Sequence, residues 1–430
     1  MSKTFNIGLF IVGLLLWSPT KFLLQAQNAP IPVVLKEEGG KWSLYRGEAP
    51  YYVKGAGGQK QLDKVVECGG NTIRTWSADN AGKVLDEAHA RGLTVCLGLW
   101  VGHERHGFDY NDKYAVAGQL EKFKEIVKRH KDHPALLMWA VGNEMDLFYK
   151  NFRVWPAVEE IAQMVKELDP NHPTMTVTAG IDVSEVQMIR DQCPSIDILG
   201  VNTYGDIGNV PDKIRQYGWD GPYMITEWGP NGHWESPKYE WGVAREQTGA
   251  EKADVYLERF QKYIAQDNLS VGSFVFLWGN KQETTATWYG LFLKSGEPTE
   301  AVDVMQYVWS GKWPANRAPR VSGMTIDGKK HRENIYLTPG KTYEAILDVR
   351  DPENKEIKIE WELIPESKDT KAGGDFETAP EAIEGFVISQ EGAKLQFKAP
   401  RTVGPYRLYA IARDEAGKAG VMNVPVFIKR

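Results

Sequence analysis

Between about residues 50 and 311, eight short apolar runs alternate with amphipathic stretches, and few folds accept that rhythm over so long a chain. The runs are 51–55, 71–76, 93–101, 136–141, 175–179, 198–204, 223–228 and 273–278. They are rich in β-branched and aromatic residues, as strands covered on both faces are. Between them, Gln119–His130 places Leu120, Phe123, Ile126 and Val127 on one helical face, and 155–168 and 253–265 repeat the periodicity. Eight such repeats predict an α/β fold closed as a (β/α)8 TIM barrel. A doubly wound open sheet has no use for the eighth.

The texture changes after the Pro-containing segment 313–319. Residues 320–430 hold short alternating stretches, such as 342–349, 357–363, 393–398 and 406–412, separated by turns such as Asp327-Gly328 and Pro339-Gly340. They predict an all-β, immunoglobulin-like sandwich without the Cys pair of antibody-type domains. The expected organisation is a barrel over 27–312, a linker over 313–319 and a sandwich over 320–430, read as a spacer rather than a carbohydrate-binding module. A chain of 430 residues is long enough for two cores.

Residues 1–26 read as a signal peptide: Lys3, an apolar run from Ile7 to Trp17 too short to span a bilayer, and the small Ala26 at the cleavage position. No Cys follows to take a lipid. The expectation is a secreted or periplasmic monomer with no transmembrane segment after cleavage. The formal net charge is −6, and loss of Lys3 and Lys21 makes the remainder more acidic, which argues against a nucleic-acid partner. Cys68, Cys96 and Cys193 form no disulfide framework and read as buried thiols. Fifteen Trp residues are unusual, and indole rings suit the C–H faces of sugars.

In a TIM barrel the chemistry sits at the C-terminal ends of the strands. The fourth run ends in Trp139-Ala140-Val141-Gly142-Asn143-Glu144 and the seventh in Ile225-Thr226-Glu227-Trp228. Each therefore sets a Glu at the barrel mouth. Two facing carboxyl groups are the minimum equipment for cleaving a glycosidic bond, one as proton donor and one as nucleophile or base. His103, His106, Asp109 and Asp112 match no strong zinc spacing, and neither a metal nor a cofactor is expected. Gly55-Ala56-Gly57-Gly58 lacks the Gly-Lys-Ser/Thr of a phosphate loop and reads as a tight passage at the barrel mouth.

Asn-Glu closing the fourth strand, with Glu closing the seventh, resembles the clan A retaining glycoside hydrolases. The resemblance implies that Glu144 is the acid/base and Glu227 the nucleophile. It implies that Asn143 binds the sugar 2-hydroxyl, that Arg74 and Tyr204 support the nucleophile, and that Trp278 floors the catalytic subsite. Trp100 and His103 after the third strand, and Trp228 and Trp234 at the seventh, are candidate sugar contacts. Enzymes of the β-galactosidase and β-glucuronidase type carry sandwich domains before the barrel. The order found here is instead similar to secreted bacterial endo-β-1,3-glucanases, which implies a β-glucan substrate of laminarin type. Transglycosylation, another β-linked polysaccharide (mannan, mixed-linkage glucan or galactan) and a non-catalytic glucan-binding protein are the alternatives.

Overall fold

The computed structural model describes residues 30–430; the expected signal peptide lies outside the described residues. Eight parallel strands close into a barrel: Val53–Gly57, Thr72–Arg74, Thr94–Leu99, Leu136–Val141, Thr174–Ala179, Ile198–Asn202, Tyr223–Trp228 and Ser270–Val275. They are called the first to eighth strands below. Each pairs with its sequence neighbour, and the eighth returns to the first through Gly272–Val53 to Val275–Ala56. Helices follow the strands and cover the outside. Lys113–His130 is started by Asp112, whose side chain accepts from the amides of Tyr114 and Ala115. Val154–Leu168 turns Val154, Val158, Ile161 and Val165 inward. Gly249–Arg259 opens on a capping box between Thr248 and Glu251.

The barrel interior is divided by polarity. Its lower half is apolar, with Val53, Cys96, Met138, Ala140, Met175, Val177, Ile198, Met224 and Phe274 in one buried cluster. Gly55 belongs here: a Cβ on it would lie 2.2 Å from the Phe274 ring, so only glycine lets that ring fill the axis. A three-stranded antiparallel sheet, Val33–Glu38, Lys41–Arg46 and Ala49–Tyr51, closes the bottom. Its Val33 and Leu44 join the apolar cluster. Its backbone and side chains bond the loops that enter the strands, through Val33 to Asn171, Trp42 to Asn268 and Asp220, and Arg46 to Pro134. The alternation pattern gave no sign of this plug, because its strands are short and half exposed.

Beyond the last barrel helix, Glu300–Ser310, two antiparallel-rich sheets pack face to face. One has five strands and runs Lys329–Lys330, Arg320–Ile326, Thr342–Arg350, Lys394–Lys398, Val387–Glu391. The other has four and runs Tyr336–Leu337, Ala419–Ile428, Gly404–Asp414, Ile357–Pro365. This sandwich sits directly on the barrel. Buried Arg407 donates to the Ala244 carbonyl at 2.9 Å, Asn423 donates to buried Glu246 at 2.6 Å, and Lys418 meets buried Asp303 at 2.5 Å. The short segment between the two bodies is itself tied down, the Ala318 amide donating to Asp303 at 2.6 Å.

Candidate active site

The upper half of the barrel is polar, and a cavity of about 640 Å³ opens above it. Glu144 and Glu227 both line this cavity, although 83 positions separate them in the chain. Glu227 is one residue from the end of the seventh strand and only 6% exposed. Three donors hold its carboxylate. Arg74 Nη1 lies 3.0 Å and Trp76 Nε1 2.7 Å from Oε1, and the Tyr204 hydroxyl lies 3.2 Å from Oε2. The Arg74 guanidinium is itself buried, coming from the end of the second strand, so its attraction is little screened.

Glu144 stands in different surroundings. The fourth strand ends at Val141, Gly142 turns at φ 78°, and Glu144 itself adopts φ 52°. A non-glycine residue in that region costs on the order of 1–3 kcal/mol and persists where its neighbours fix it. Here the Glu144 amide donates to the Val177 carbonyl at 2.8 Å, and the Asp146 carboxylate accepts from the Ala179 amide at 2.9 and 3.0 Å. Both tie the turn to the fifth strand. The Glu144 carboxyl has one side-chain donor, Asn202 Nδ2 at 2.8 Å. Burial first, and the charge of Glu227 second, push its pKa well above the ordinary carboxylate range, against the pull of the Asn202 bond. Asp146 is also buried and is pushed up to about 7, chiefly by desolvation.

Asn143 and Asn202 knit the two sides together. Asn143 Oδ1 accepts from Arg74 at 2.5 Å and from Asn202 at 3.2 Å, and Asn202 Oδ1 accepts from Thr226 at 2.8 Å. The Asn143 amide nitrogen thereby faces the cavity with no acceptor among the described residues.

The structure brings Arg74, Asn143, Glu144, Tyr204 and Glu227 together, with Trp100 and Trp234 in the cavity wall. It does not bring Trp228, Trp278 or His103 there. Trp228 is fully buried outside the barrel, packed on Tyr256 and Phe260. Neighbouring residues of a strand point to opposite faces, so once Glu227 faces inward Trp228 cannot. Trp278 lies past the end of the eighth strand, packs on Phe292 and Trp309, and donates to the Gln61 carbonyl at 3.2 Å. The wall at that point is made by Phe276, edge-on to Trp76 and Tyr204. His103 stacks beneath Trp100 with ring centres 4.8 Å apart, and burial lowers its pKa to about 4, so it is a neutral support for the indole.

Asn202 and Trp76 are not among the candidates expected from the sequence, although both lie in the apolar runs 198–204 and 71–76. Neither are Asp206, in the short 3-10 helix Gly205–Asn209, nor Glu235, Lys281 and Glu283, in the connections after the seventh and eighth strands. Three more wall residues, Ala372, Gly373 and Gly374, come from the sandwich, which therefore does more than space the barrel from its surroundings.

Residues 75–235 match the family described as "Glycosyl hydrolases family 2, TIM barrel domain". A beta-glucuronidase of Streptococcus agalactiae is 28% identical over 196 residues, covering 39% of this chain and 32% of its own. A beta-galactosidase of Bacteroides ovatus is 22% identical over 294 residues, covering 59% of this chain and 31% of its own. Among solved structures, Bacteroides uniformis beta-glucuronidase shares the fold at a TM-score of 0.50 and 14% identity, over 92% of this chain and 48% of the other. The chain thus spans a third to a half of the length of these proteins. The endo-β-1,3-glucanase resemblance finds no support among them. The stretch that carries both Glu144 and Glu227 is a TIM barrel matching a glycoside hydrolase family.

Proposed function

We propose that the protein hydrolyses a β-glycosidic bond with retention of configuration, with Glu227 as nucleophile and Glu144 as acid/base. The observation that carries this reading is the pair of opposed environments on one cavity: a carboxylate held by three donors facing a carboxyl kept protonated by burial and by that charge.

In the first step a Glu227 oxygen bonds to the anomeric carbon while Glu144 gives its proton to the departing glycosidic oxygen. The resulting ester removes the negative charge that held the Glu144 proton. Glu144 then takes a proton from water as that water bonds to the same carbon, and Glu227 leaves as carboxylate. The free Asn143 amide is placed to donate to a sugar hydroxyl, which favours a glycoside with an unblocked 2-hydroxyl.

Charge narrows the substrate. With Glu144 protonated, the cavity wall still carries Asp206, Glu227, Glu235 and Glu283, and the cations beside it are already engaged: Lys281 by Glu283 at 2.9 Å, Arg74 by Glu227 at 3.0 Å and Lys213 by Asp206 at 2.6 Å. Such a wall disfavours a uronate and favours a neutral sugar, so the galactosidase relative is a better guide to substrate than the glucuronidase relatives. A β-glucan of laminarin type is the substrate expected from the sequence. Galactan, mannan and mixed-linkage glucan stand beside it as neutral alternatives, and the family match favours this wider set. Residues 1–26 would deliver the enzyme outside the cytoplasm.

The test is a panel of aryl β-glucoside, β-galactoside, β-mannoside and β-glucuronide, with laminarin, galactan and mannan, each followed by product sizing. Products shorter than the substrate support hydrolysis, longer ones indicate transfer. Turnover of the glucuronide alone would overturn the neutral-sugar assignment.

A further inference from the structure

The sandwich sends one irregular segment, residues 371–377, across to the barrel mouth. Its anchors are unusually distributed. On one face of the segment Asp375 pairs with Arg105 at 2.9 Å and His106 at 3.1 Å, both in the loop after the third strand. Arg105 also donates to the carbonyls of Ala372 and Gly373. On the other face Glu377, 2% exposed, accepts from the Thr284 amide at 2.6 Å, and Lys281 donates to the Gly374 carbonyl at 2.5 Å, both after the eighth strand. Gly373 and Gly374 adopt φ 63° and 69°, and a Cβ on Gly373 would lie 2.5 Å from Leu147, in the loop that follows Glu144. Gly373 therefore lets the backbone lie against the acid/base loop, and Gly374, whose Cβ would lie 2.7 Å from Lys281 Nζ, lets it lie against the loop after the eighth strand.

The fourth and eighth strands face each other across an eight-stranded barrel. A segment packed on the loops after the third, fourth and eighth strands reaches from one side of the mouth to the other. Its backbone is cavity wall there, whereas exposed Trp234, in the loop after the seventh strand, borders the cavity elsewhere. A glycan threading the mouth from side to side would have to displace it.

We propose that residues 371–377 are a strap that walls off one end of the substrate cleft and determines specificity, so that the enzyme attacks glycans near a chain end rather than internally. This rests on the hydrolase reading and replaces the expectation of endo action. Asp375 is not itself in the cavity wall, so removing it loosens the strap without touching the carboxylates.

The experiment compares the full-length wild type with Asp375→Ala, and with Arg105→Ala, which breaks the same clasp from the barrel side. Each is given reducing-end-labelled hexaoses of β-1,3-glucose, β-1,4-glucose, β-1,4-mannose and β-1,4-galactose, and products are sized by mass spectrometry. Labelling of Glu227 by the matching 2-deoxy-2-fluoroglycosyl fluorides is followed in parallel. The wild type should release short fragments from one end. Either strap variant should shift the products toward internal cleavage, with the rate of Glu227 labelling changed by less than about threefold. Internal cleavage by the wild type, or the same products from all three proteins, would overturn the strap. Absence of Glu227 labelling in the wild type would instead bring down the hydrolase reading, and the strap with it.

Discussion

The two sides of the barrel mouth hold the same side chain under opposite conditions. On the seventh-strand side, Glu227 meets a guanidinium, an indole N–H and a phenol. On the fourth-strand side, Glu144 meets one amide, a buried neighbouring acid and the field of Glu227 itself. In the proposed roles, what separates a nucleophile from a proton donor is thus the surroundings of an identical group: donors gathered from other strands around Glu227, and burial beside a negative charge for Glu144. The difference also makes the pair interdependent, because the charge on one sets the proton affinity of the other.

The comparison breaks most sharply if Glu227→Gln remains active. Replacing the attacking carboxylate by a neutral amide should lower kcat on the order of 10⁴-fold or more while the chain still folds, as circular dichroism checks. Glu144→Ala should cost about 10²–10⁴ on substrates with poor leaving groups. It should cost much less on activated aryl glycosides, and azide should restore turnover by attacking the glycosyl-enzyme without needing a base. Equal losses on both substrate types, with no response to azide, would assign the proton to another group.

Two gentler changes sharpen the contrast. Trp76→Phe keeps the ring in the wall and deletes one donor to Glu227, so kcat/KM should fall about ten- to a hundredfold, as expected for losing a hydrogen bond to a charged group. An unaltered rate constant would mean that Arg74 and Tyr204 suffice. The smallest effect is expected from Asp146→Asn. Glu144 must be protonated for the first step, so kcat/KM is maintained below its raised pKa and lost as pH rises through it. The Asp146 charge contributes to that elevation. Removing it should move the alkaline limb to lower pH, by less than about one unit. A limb moving upward would contradict the sign.

The strand run was legible because each strand is buried on both faces and flanked by helices of clear period, and the observed strands fall within a few residues of the eight runs. The carboxylates were legible because a Glu ending an apolar run is costly unless something uses it. Trp228 was misplaced by reading a motif as a cluster when strand alternation already sent it outward. Trp278 was misplaced for the opposite reason: the eighth strand ends at Val275, and beyond that no periodicity says which way a side chain points. The wall residues Lys281, Glu283 and Gly373 could not be found by any local pattern. They meet only because the sandwich docks on the barrel, and docking is written in scattered charges such as Glu246, Asp303 and Arg407.

Those scattered charges decide how the molecule comes apart. Asp303 is 1% exposed and faces Lys418, and Glu246 is 6% exposed and faces Asn423 and Lys252. Removing the partner while the bodies stay docked, as Lys418→Ala would for Asp303, leaves a buried carboxylate without its cation, at roughly 3–5 kcal/mol. Cutting the chain after the barrel would also strip Ala372, Gly373 and Gly374 from the cavity wall and bare the charged flank of Glu246 and Asp303 to water, so a trimmed barrel is a catalyst with a different cleft.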